Sequence, residues 1–279
     1  METTENIKEM VKQKYSEIAT QNKITNQSSC CGSGGCSTEV YNIMSDEYSN
    51  LKGYAPGADL GLGCGLPTEF AKIKQGDTVI DLGSGAGNDC FVARAATGET
   101  GRVIGIDFTP AMIEKARENS VKLKYSNVEF RQGDIEKIPI TSNVADVIVS
   151  NCVLNLVPNK DGVFKEIFRV LKPGGHFSIS DVVLTGNLPE SLKAKAEMYA
   201  GCVSGAIQKK EYLELIQKNG FQNITLQKEK PIIIPDDILK NYLSEAELNS
   251  LKAGVVGIYS ITVFAQKPQS CCTPGGTCC

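Results

Sequence analysis

The sequence contains no tryptophan, a single histidine and no excess of basic residues. A single histidine, His176, excludes every metal site that needs several histidine ligands. Because 29 Lys and Arg residues stand against 32 Asp and Glu residues, the net charge is −3, and we expect no nucleic-acid partner. No apolar run reaches the roughly 18 residues of a membrane span, so we expect no membrane association. The first ten residues, METTENIKEM, are polar and acidic, which is unlike a signal peptide.

Cysteine is the residue type that this sequence has in excess. Disulfide frameworks are typical of short exported chains, whereas this chain has 279 residues and no export signal. We therefore expect reduced thiols in the cytoplasm, some of which bind a soft metal or metalloid. The eleven cysteines stand at positions 30, 31, 36, 64, 90, 152, 202, 271, 272, 278 and 279.

Short apolar runs alternate with helical patterns in the middle of the chain, which predicts an α/β fold whose parallel sheet carries helices on both faces. The predicted strands are 78–83, 102–107, 127–132, 145–150 and 176–183, with helices at 88–97, 110–124 and 160–171. Outside this region we predict helices at 3–20, 39–52, 189–200 and 208–219, one or two further helices within 236–253, and strands at 221–228 and 257–266. The small, polar segment 21–38 is predicted to be a flexible loop.

A glycine-rich loop, Asp81-Leu-Gly-Ser-Gly-Ala-Gly-Asn-Asp89, follows the first predicted strand and opens a helix. Glycines at this place let backbone N–H groups come close to a ligand. The spacing is G-x-G-x-G rather than the dinucleotide pattern G-x-G-x-x-G, and an acid precedes the first glycine by two residues. That acid would repel a pyrophosphate but would attract the amino group of a methionine moiety. The loop therefore favours S-adenosylmethionine over a nicotinamide or flavin cofactor, or over a merely structural turn.

Two further acids follow the second and third predicted strands. Asp107 ends the second strand, where its carboxylate can accept hydrogen bonds from both ribose hydroxyls. Asp134, which we place at the end of the third strand, can read an adenine amino group. Three acids at three successive strand ends make the cofactor prediction specific.

Residues 76–183 resemble the Rossmann-like class I methyltransferases, through DLGSGAG, GIDFT, GDIEKIP and RVLKPGGHFSISDV. The resemblance implies a largely parallel seven-stranded sheet with the last strand reversed. It also implies a cofactor site that includes Asp81, Gly83, Gly85, Asp107, Met112 and Asp134. The full set that we predict to bind the cofactor is Asp81, Gly83, Ser84, Gly85, Gly87, Asp89, Asp107, Met112, Asp134, Ile135 and Asn151.

Three cysteine-bearing segments, GLGCG, SNCVLNLVP and GCVSGA, are similar to those of the arsenite S-adenosylmethionine methyltransferases, and the similarity extends over most of residues 40–210. The resemblance implies that Cys152 and Cys202 bind trivalent arsenic and that Cys64 is a further essential thiol, so all three are expected to be catalytic. It also implies an N-terminal partner thiol, for which Cys30, Cys31 and Cys36 are candidates and Cys36 is favoured by its distance from Cys64. The sequence lacks the Tyr-Tyr pair that precedes Gly-Cys-Gly in the animal enzymes and resembles the bacterial branch.

The chemistry of arsenic fits such a thiol set. Trivalent arsenic is soft and prefers thiolates to oxygen or nitrogen ligands. Three sulfur ligands leave it with a lone pair, which we expect to attack the electrophilic methyl group of S-adenosylmethionine in line with the departing sulfur. This displacement needs no general base, so catalysis rests on orientation and desolvation. Family resemblance further implies thioredoxin or glutathione as the source of arsenite thiol conjugates and as the reductant.

We divide the chain into four parts on this basis. They are an N-terminal helix with a cysteine-bearing loop (1–60), an S-adenosylmethionine-binding domain (61–183), an arsenic-binding part that completes the sheet (184–268) and a flexible cysteine-rich tail (269–279). The tail thiols either capture arsenite, contact another metal or play no part in turnover. Cys90 is expected to serve packing, and His176 to be structural.

Two other functions stay open at this point. A methyltransferase of a small organic molecule such as a quinone would share the cofactor loop but would not need Cys64, Cys152 and Cys202. A non-enzymatic, thiol-rich protein that sequesters metalloids would not need the intact glycine loop or Asp107.

Overall fold

Seven strands form one mixed sheet in the centre of the protein, as seen in a computed structural model that describes residues 4–20, 46–187, 205–233, 239–240, 243–252 and 257–269. The strands are β1 (Thr78–Leu82), β2 (Arg102–Asp107), β3 (Val128–Gln132), β4 (Ala145–Asn151), β5 (Leu171–Thr185), β6 (Gln222–Pro231) and β7 (Gly257–Gln266). The described α-helices are α1 (Thr4–Ala19), α2 (Pro67–Phe70), α3 (Asn88–Thr97), α4 (Pro110–Leu123), α5 (Lys160–Val170), α6 (Lys209–Lys218) and α7 (Glu245–Lys252). Two short 3₁₀ helices cover Ile135–Lys137 and Leu154–Leu156.

The strand order is β3-β2-β1-β4-β5-β7-β6, and the predicted reversal of the last strand is confirmed. β7 runs antiparallel to both of its neighbours, β5 and β6, whereas β1 to β5 pair in parallel. The chain leaves β1 toward β2 on one side and later returns to place β4 on the other side. In open sheets of this kind, ligands bind beyond the carboxyl ends of the strands at this switch point.

Alternating side chains of the central strands enter two different apolar layers. Val79, Val103 and Val147 pack with α3 and α4 on one face. Their neighbours Ile80, Ile104 and Ile148 pack with α5 and α6 on the other face. Because successive side chains of a strand point to opposite faces, this near-continuous apolar sequence is the pattern of a sheet covered on both sides.

Most element boundaries agree with the sequence prediction, and α3, β2 and β7 agree at both ends. Two predictions are wrong. Residues 46–52, the described part of the helix predicted at 39–52, form consecutive turns rather than a helix, in which Leu51 N–H donates to Tyr48 and Tyr54 N–H donates to Leu51. The strand predicted to begin at residue 176 begins at Leu171, because the preceding residues are already extended and Leu171 pairs with Ala145.

Several predicted segments lie outside the described residues. These are the loop at 21–38, the helix at 189–200, residues 39–45, and the cysteines at positions 30, 31, 36, 202, 271, 272, 278 and 279. Within the described ranges, no helix is both long and apolar enough to cross a membrane.

Candidate functional site

A deep pocket opens beyond the carboxyl ends of β1, β2 and β4 and encloses, with its open mouth, about 1100 Å³ of empty space. Of the predicted cofactor residues, those that line it are Asp81, Gly83, Ser84, Gly85, Asp89, Asp107, Met112, Asp134, Ile135 and Asn151. Gly87 is not among the lining residues. A Cβ atom there would lie 2.8 Å from the Phe130 ring, and Gly87 caps α3 with a φ of +100°, so a side chain at this position would disturb both the packing and the turn.

The glycine loop is fixed by backbone hydrogen bonds to β2. The N–H groups of Gly83 and Ser84 both donate to the Ile106 carbonyl, at 2.8 and 2.9 Å. Gly85 has a φ of +49°, and a Cβ atom there would meet nothing within 4 Å. Its N–H donates to Asp107 Oδ2 at 3.0 Å, so the loop and the second strand end are tied together at the pocket.

Three buried carboxyl groups form the floor of the pocket. Burial raises the pKa of Asp81 well above its ordinary value, and the charge of Asp89 adds to the effect. Burial also raises the pKa of Asp89 to about 6, and it raises the pKa of Asp107. Among the described lining residues the only basic side chain is Lys8, which lies at the other end with Asp134. A pocket with this charge distribution favours a ligand that carries positive charge.

Asp107 is held by two backbone donors, Gly85 N–H and Thr109 N–H, the latter at 2.8 Å from Oδ1. Each carboxylate oxygen has a second lone pair, so the group can still accept hydrogen bonds from a ligand. Three buried polar atoms of the same pocket have no hydrogen-bond partner in the described part of the protein, namely Ser84 Oγ, Asn88 Oδ1 and Thr109 Oγ1. Orphaned buried polar atoms are rare in folded proteins, and here they fit a polar ligand.

Asp134 lies two residues beyond the end of β3, not at its end as predicted, and caps the following 3₁₀ helix by accepting Glu136 N–H at 2.9 Å. Lys8 of α1 crosses to this end and binds Asp134 at 2.7 Å and Glu136. Val11 and Tyr15 of the same helix also line the pocket. The sequence analysis missed these residues, because the amphipathic pattern of α1 predicts that the helix packs but not where.

Two of the four predicted arsenic-binding cysteines, Cys64 and Cys152, lie in the described part of the protein. Cys64 and Cys152 are both buried and belong to one apolar cluster, which also contains Leu156 and Val182. Cys152 lines the pocket directly, and Cys64 follows Gly63, which does so. The pKa of the Tyr212 hydroxyl is raised first by burial, then by Asp181 and then by both thiols. Cys202 and Cys36 lie outside the described residues.

Two other residues with reactive side chains, Cys90 and His176, do not line the pocket. Cys90 is buried as predicted, but its thiol also donates to Asp81 at 3.3 Å, and burial followed by the Asp81 charge raises its pKa. His176 Nε2 lies 2.6 Å from the Ala71 carbonyl oxygen and its ring packs on Phe264, which fits the predicted structural role. Among the described residues, no group of three or more His, Cys, Asp or Glu side chains is arranged to hold a metal ion.

The fold and the pocket define a methyltransferase domain, and the methyltransferase-domain family matches residues 73–220. The chain is 39% identical to an arsenite methyltransferase of Halobacterium salinarum, over 95% of this chain and 67% of that protein. It is 31% identical to an arsenite methyltransferase of Aquipseudomonas alcaligenes, over 87% of this chain and 70% of the relative. Among solved structures, the chain is similar to an arsenic(III) S-adenosylmethionine methyltransferase of Chlamydomonas reinhardtii, with a TM-score of 0.63 and 34% sequence identity. The match covers 77% of this chain and 69% of the Chlamydomonas chain.

The chain belongs to the arsenite methyltransferase family. The fold class and the family named from the sequence are therefore both confirmed.

Proposed function

We propose that this protein methylates trivalent arsenic held by the thiolates of Cys64, Cys152 and Cys202, with S-adenosylmethionine as the methyl donor. The observation that supports this proposal best is that two buried thiols, Cys64 and Cys152, belong to one apolar cluster, and that Cys152 also lines the pocket that contains the buried carboxyl groups. Family membership favours the same reaction.

The donor set of the pocket fits S-adenosylmethionine. When bound, this group supplies an activated methyl on a positively charged sulfonium, and it also carries an ammonium group. Asp81 and Asp89 would offset positive charge at the floor, Asp107 would accept hydrogen bonds from the ribose, and Asp134 with Ile135 would hold the adenine end. A dinucleotide would instead bring pyrophosphate charge against these carboxylates, with only Lys8 among the described lining residues to offset it.

The thiols bind the substrate without a general base. When arsenite binds, each As–O bond is replaced by an As–S bond, and each leaving hydroxide takes the proton of one thiol to form water. The apolar side chains around Cys64 and Cys152, among them Leu156 and Val182, exclude water from the bound arsenic. The residues therefore orient and desolvate the acceptor, which is consistent with a chain that has one histidine.

The proposal extends to the partners of the reaction. We place the protein in the reducing cytoplasm, with thioredoxin or glutathione as the thiol reductant. Cys36, or alternatively Cys30 or Cys31, would serve as the N-terminal partner thiol, and the paired cysteines of the tail would capture arsenite.

The test is to incubate the purified protein with arsenite, S-adenosylmethionine and a thiol and to measure methylated arsenic by chromatography with mass detection. We expect Cys152→Ser and Cys202→Ser to abolish methylation, because an oxygen ligand replaces the thiolate that soft arsenic prefers. The affinity for S-adenosylmethionine should stay within roughly threefold. Methylation by Cys152→Ser at the rate of the unmodified protein would contradict the thiol site.

A matched control is Cys90→Ala, since Cys90 is also buried but contacts Asp81 rather than the thiol cluster. The Cys90→Ala variant should still bind arsenite, even if the loss of the contact with Asp81 weakens the binding of S-adenosylmethionine. If the unmodified protein binds S-adenosylmethionine but methylates no arsenic, a small organic acceptor such as a quinone becomes the better hypothesis.

A further inference from the structure

The side chain of Asn151 lines the cofactor pocket and contacts the backbone of Cys64. Asn151 is the last residue of β4, and Cys152 follows it directly. Its Oδ1 atom accepts the Cys64 N–H at 3.0 Å, and its Nδ2 atom donates to the Gly65 carbonyl at 2.8 Å. The Asn151 amide therefore holds the backbone on both sides of the Cys64 side chain. The chain continues from Asn151 directly into Cys152.

The loop around Cys64 is shaped to allow this contact. A Cβ atom on Gly63 would lie 2.6 Å from Asn151 Nδ2, so a side chain there would force the amide away. A Cβ atom on Gly65 would lie 2.5 Å from Ser180 Oγ. Glycines at both positions let the loop approach β4 and β5 closely, and Ser260 Oγ donates to the Cys64 carbonyl from β7.

Cys152 itself has a backbone conformation that needs support. Its φ is +60°, in the left-handed region, which costs a non-glycine residue on the order of 1 kcal/mol. The Cys152 N–H donates to the Ser180 carbonyl at 2.8 Å. This conformation directs the chain away from β4 immediately after Asn151, and strained residues of this kind are typical of functional sites.

The Nδ2 group that donates to Gly65 also contacts residues of the cofactor pocket. Asn151 Nδ2 donates to Tyr48 Oη at 2.5 Å and lies 3.3 Å from Asp89 Oδ2. Tyr48 Oη in turn donates to Asp89 at 2.8 Å. Tyr48 is buried and its hydroxyl fixes the rotation of the amide, so the position of the Cys64 loop depends on this network.

We propose that Asn151 is the positioning residue of the arsenic site, which sets the distance between the thiols of Cys64 and Cys152 through its contact with the Cys64 backbone. The inference rests on the proposed function, because it assumes that both thiols bind one arsenic atom. Asn151 was expected from the sequence only to bind the cofactor. Its contacts give it a second role, on the substrate.

The test uses the full chain with serine at the cysteines outside this region, which are positions 30, 31, 36, 271, 272, 278 and 279. Arsenite affinity is measured by equilibrium dialysis, and the number of sulfur ligands per arsenic is measured by X-ray absorption. We expect three sulfur ligands in this background. In Asn151→Ala we expect roughly tenfold weaker binding, because buried groups lose their partners, and two sulfur ligands, because Cys64 no longer reaches the arsenic.

Asn119→Ala is the matched control, since Asn119 is a buried amide that donates to two loop carbonyls, Gly57 and Ala86, each at 3.2 Å. The Asn119→Ala variant should keep three sulfur ligands, and its arsenite affinity should stay within roughly twofold of the background protein. It loses hydrogen bonds of the same kind as Asn151→Ala does. If Asn151→Ala kept three sulfur ligands and the arsenite affinity of the background protein, the inference would be overturned, but the proposed function would stand. A background protein that binds no arsenite would overturn the proposed function as well.

If Asn151→Ala does not fold, Tyr48→Phe tests the same network. It removes one oxygen atom and leaves the ring in place. We expect roughly threefold weaker arsenite binding, because the amide loses the contact that fixes its rotation. Unchanged arsenite affinity in Tyr48→Phe would contradict the inference.

Discussion

A few single side chains decide the charge of the ligand that the pocket favours. Asp81, Asp89 and Asp107 are each less than 9% exposed, and burial raises the pKa of all three. Carboxyl groups gathered in this way are costly when no cation is near. A positively charged ligand removes that cost, so we expect Asp81 and Asp89 to bind the methionine end of the cofactor and to discriminate against phosphate.

The binding of S-adenosylhomocysteine, which keeps the ammonium group, should therefore depend on pH. Because the pKa of Asp89 is about 6 in the unliganded protein, this carboxyl takes up a proton as the pH falls below that value. The ammonium ion binds the ionised form, so affinity should fall roughly tenfold between about pH 7 and pH 5. Titration calorimetry in two buffers of different ionisation enthalpy measures both the affinity and the protons released.

Asp89→Asn is the control, and it should flatten the pH dependence while it weakens binding. An affinity for S-adenosylhomocysteine that stays constant from about pH 5 to pH 8 would show that Asp89 does not titrate in the free protein.

Asp181 is a further buried acid that does not line the pocket, and we expect it to affect stability rather than cofactor binding. It lies in β5, where it accepts the Val182 N–H at 3.0 Å and the Tyr212 hydroxyl at 3.3 Å. Burial raises its pKa to about 7, although the nearby Lys160 charge lowers it in part. The folded protein thus holds a proton that the unfolded chain releases above about pH 4, so this group lowers stability as the pH rises from about 4 to about 7.

Asp181→Asn should remove this dependence. We expect the variant to gain stability relative to the unmodified protein as the pH rises from about 4 to about 7, with a constant difference above that range. The upper limit of the gain is roughly 4 kcal/mol, from 1.36 kcal/mol for each pKa unit. Urea unfolding at several pH values measures it. A stability difference that does not change with pH would mean that Asp181 stays ionised in the folded protein.

Among the described helices, α1 contributes the most residues to the lining of the pocket, and these residues lie outside the sheet. Ile18 and Ala19 pack with α4, and Lys115 donates to the Ala19 carbonyl at 2.7 Å. This anchor leaves Lys8, one turn before Val11, beside Asp134, where we expect the adenine to bind. The helix therefore closes one side of the cofactor pocket from outside the glycine-loop motif.

Lys8→Met should weaken S-adenosylhomocysteine binding several-fold, because Asp134 and Glu136 lose the cation that holds them in place. The side chain is 31% exposed, so the effect should shrink as salt is added. Lys14→Met on the same helix is the control, since Lys14 pairs only loosely with Glu17, at 3.9 Å. Equal affinities in the two variants would place Lys8 outside the cofactor site.

In the whole molecule, the pocket joins segments that are distant in the chain. Helix α1, the loop with Tyr48 and Asp59, and the ends of β1, β2 and β4 all line it. A ligand that contacts all of them stabilises the folded state by mass action.

S-adenosylhomocysteine at about 100 times its dissociation constant should stabilise the protein by roughly 2.7 kcal/mol and raise the melting temperature by roughly 5 °C. Differential scanning calorimetry measures the shift. Asp107→Ala should lose most of it, because the carboxylate that would bind the ribose is absent. A melting temperature that does not respond to the ligand in the unmodified protein would contradict the cofactor assignment.

Local patterns in the sequence were sufficient for most of the framework. The alternation of apolar runs with helical segments predicted the parallel strands, and the glycine loop with Asp81 and Asp107 predicted the cofactor pocket. The reversed strand β7 followed from resemblance rather than from any pattern of its own. The turns around Tyr48 were mistaken for a helix, because the burial of this tyrosine against Asp89 is a contact that helical spacing does not encode.

The sequence by itself determined the order of strands and helices, the acidic cofactor loop and the cysteines that mark the family, because each depends on residues that are near one another in the chain. Only the tertiary structure decided that Lys8 meets Asp134, 126 residues away, and that Asn151 holds Cys64, 87 residues away. These contacts depend on which face of the sheet each loop returns to and how closely a glycine lets it approach. Such distances are set by packing, and no local pattern of residues records them.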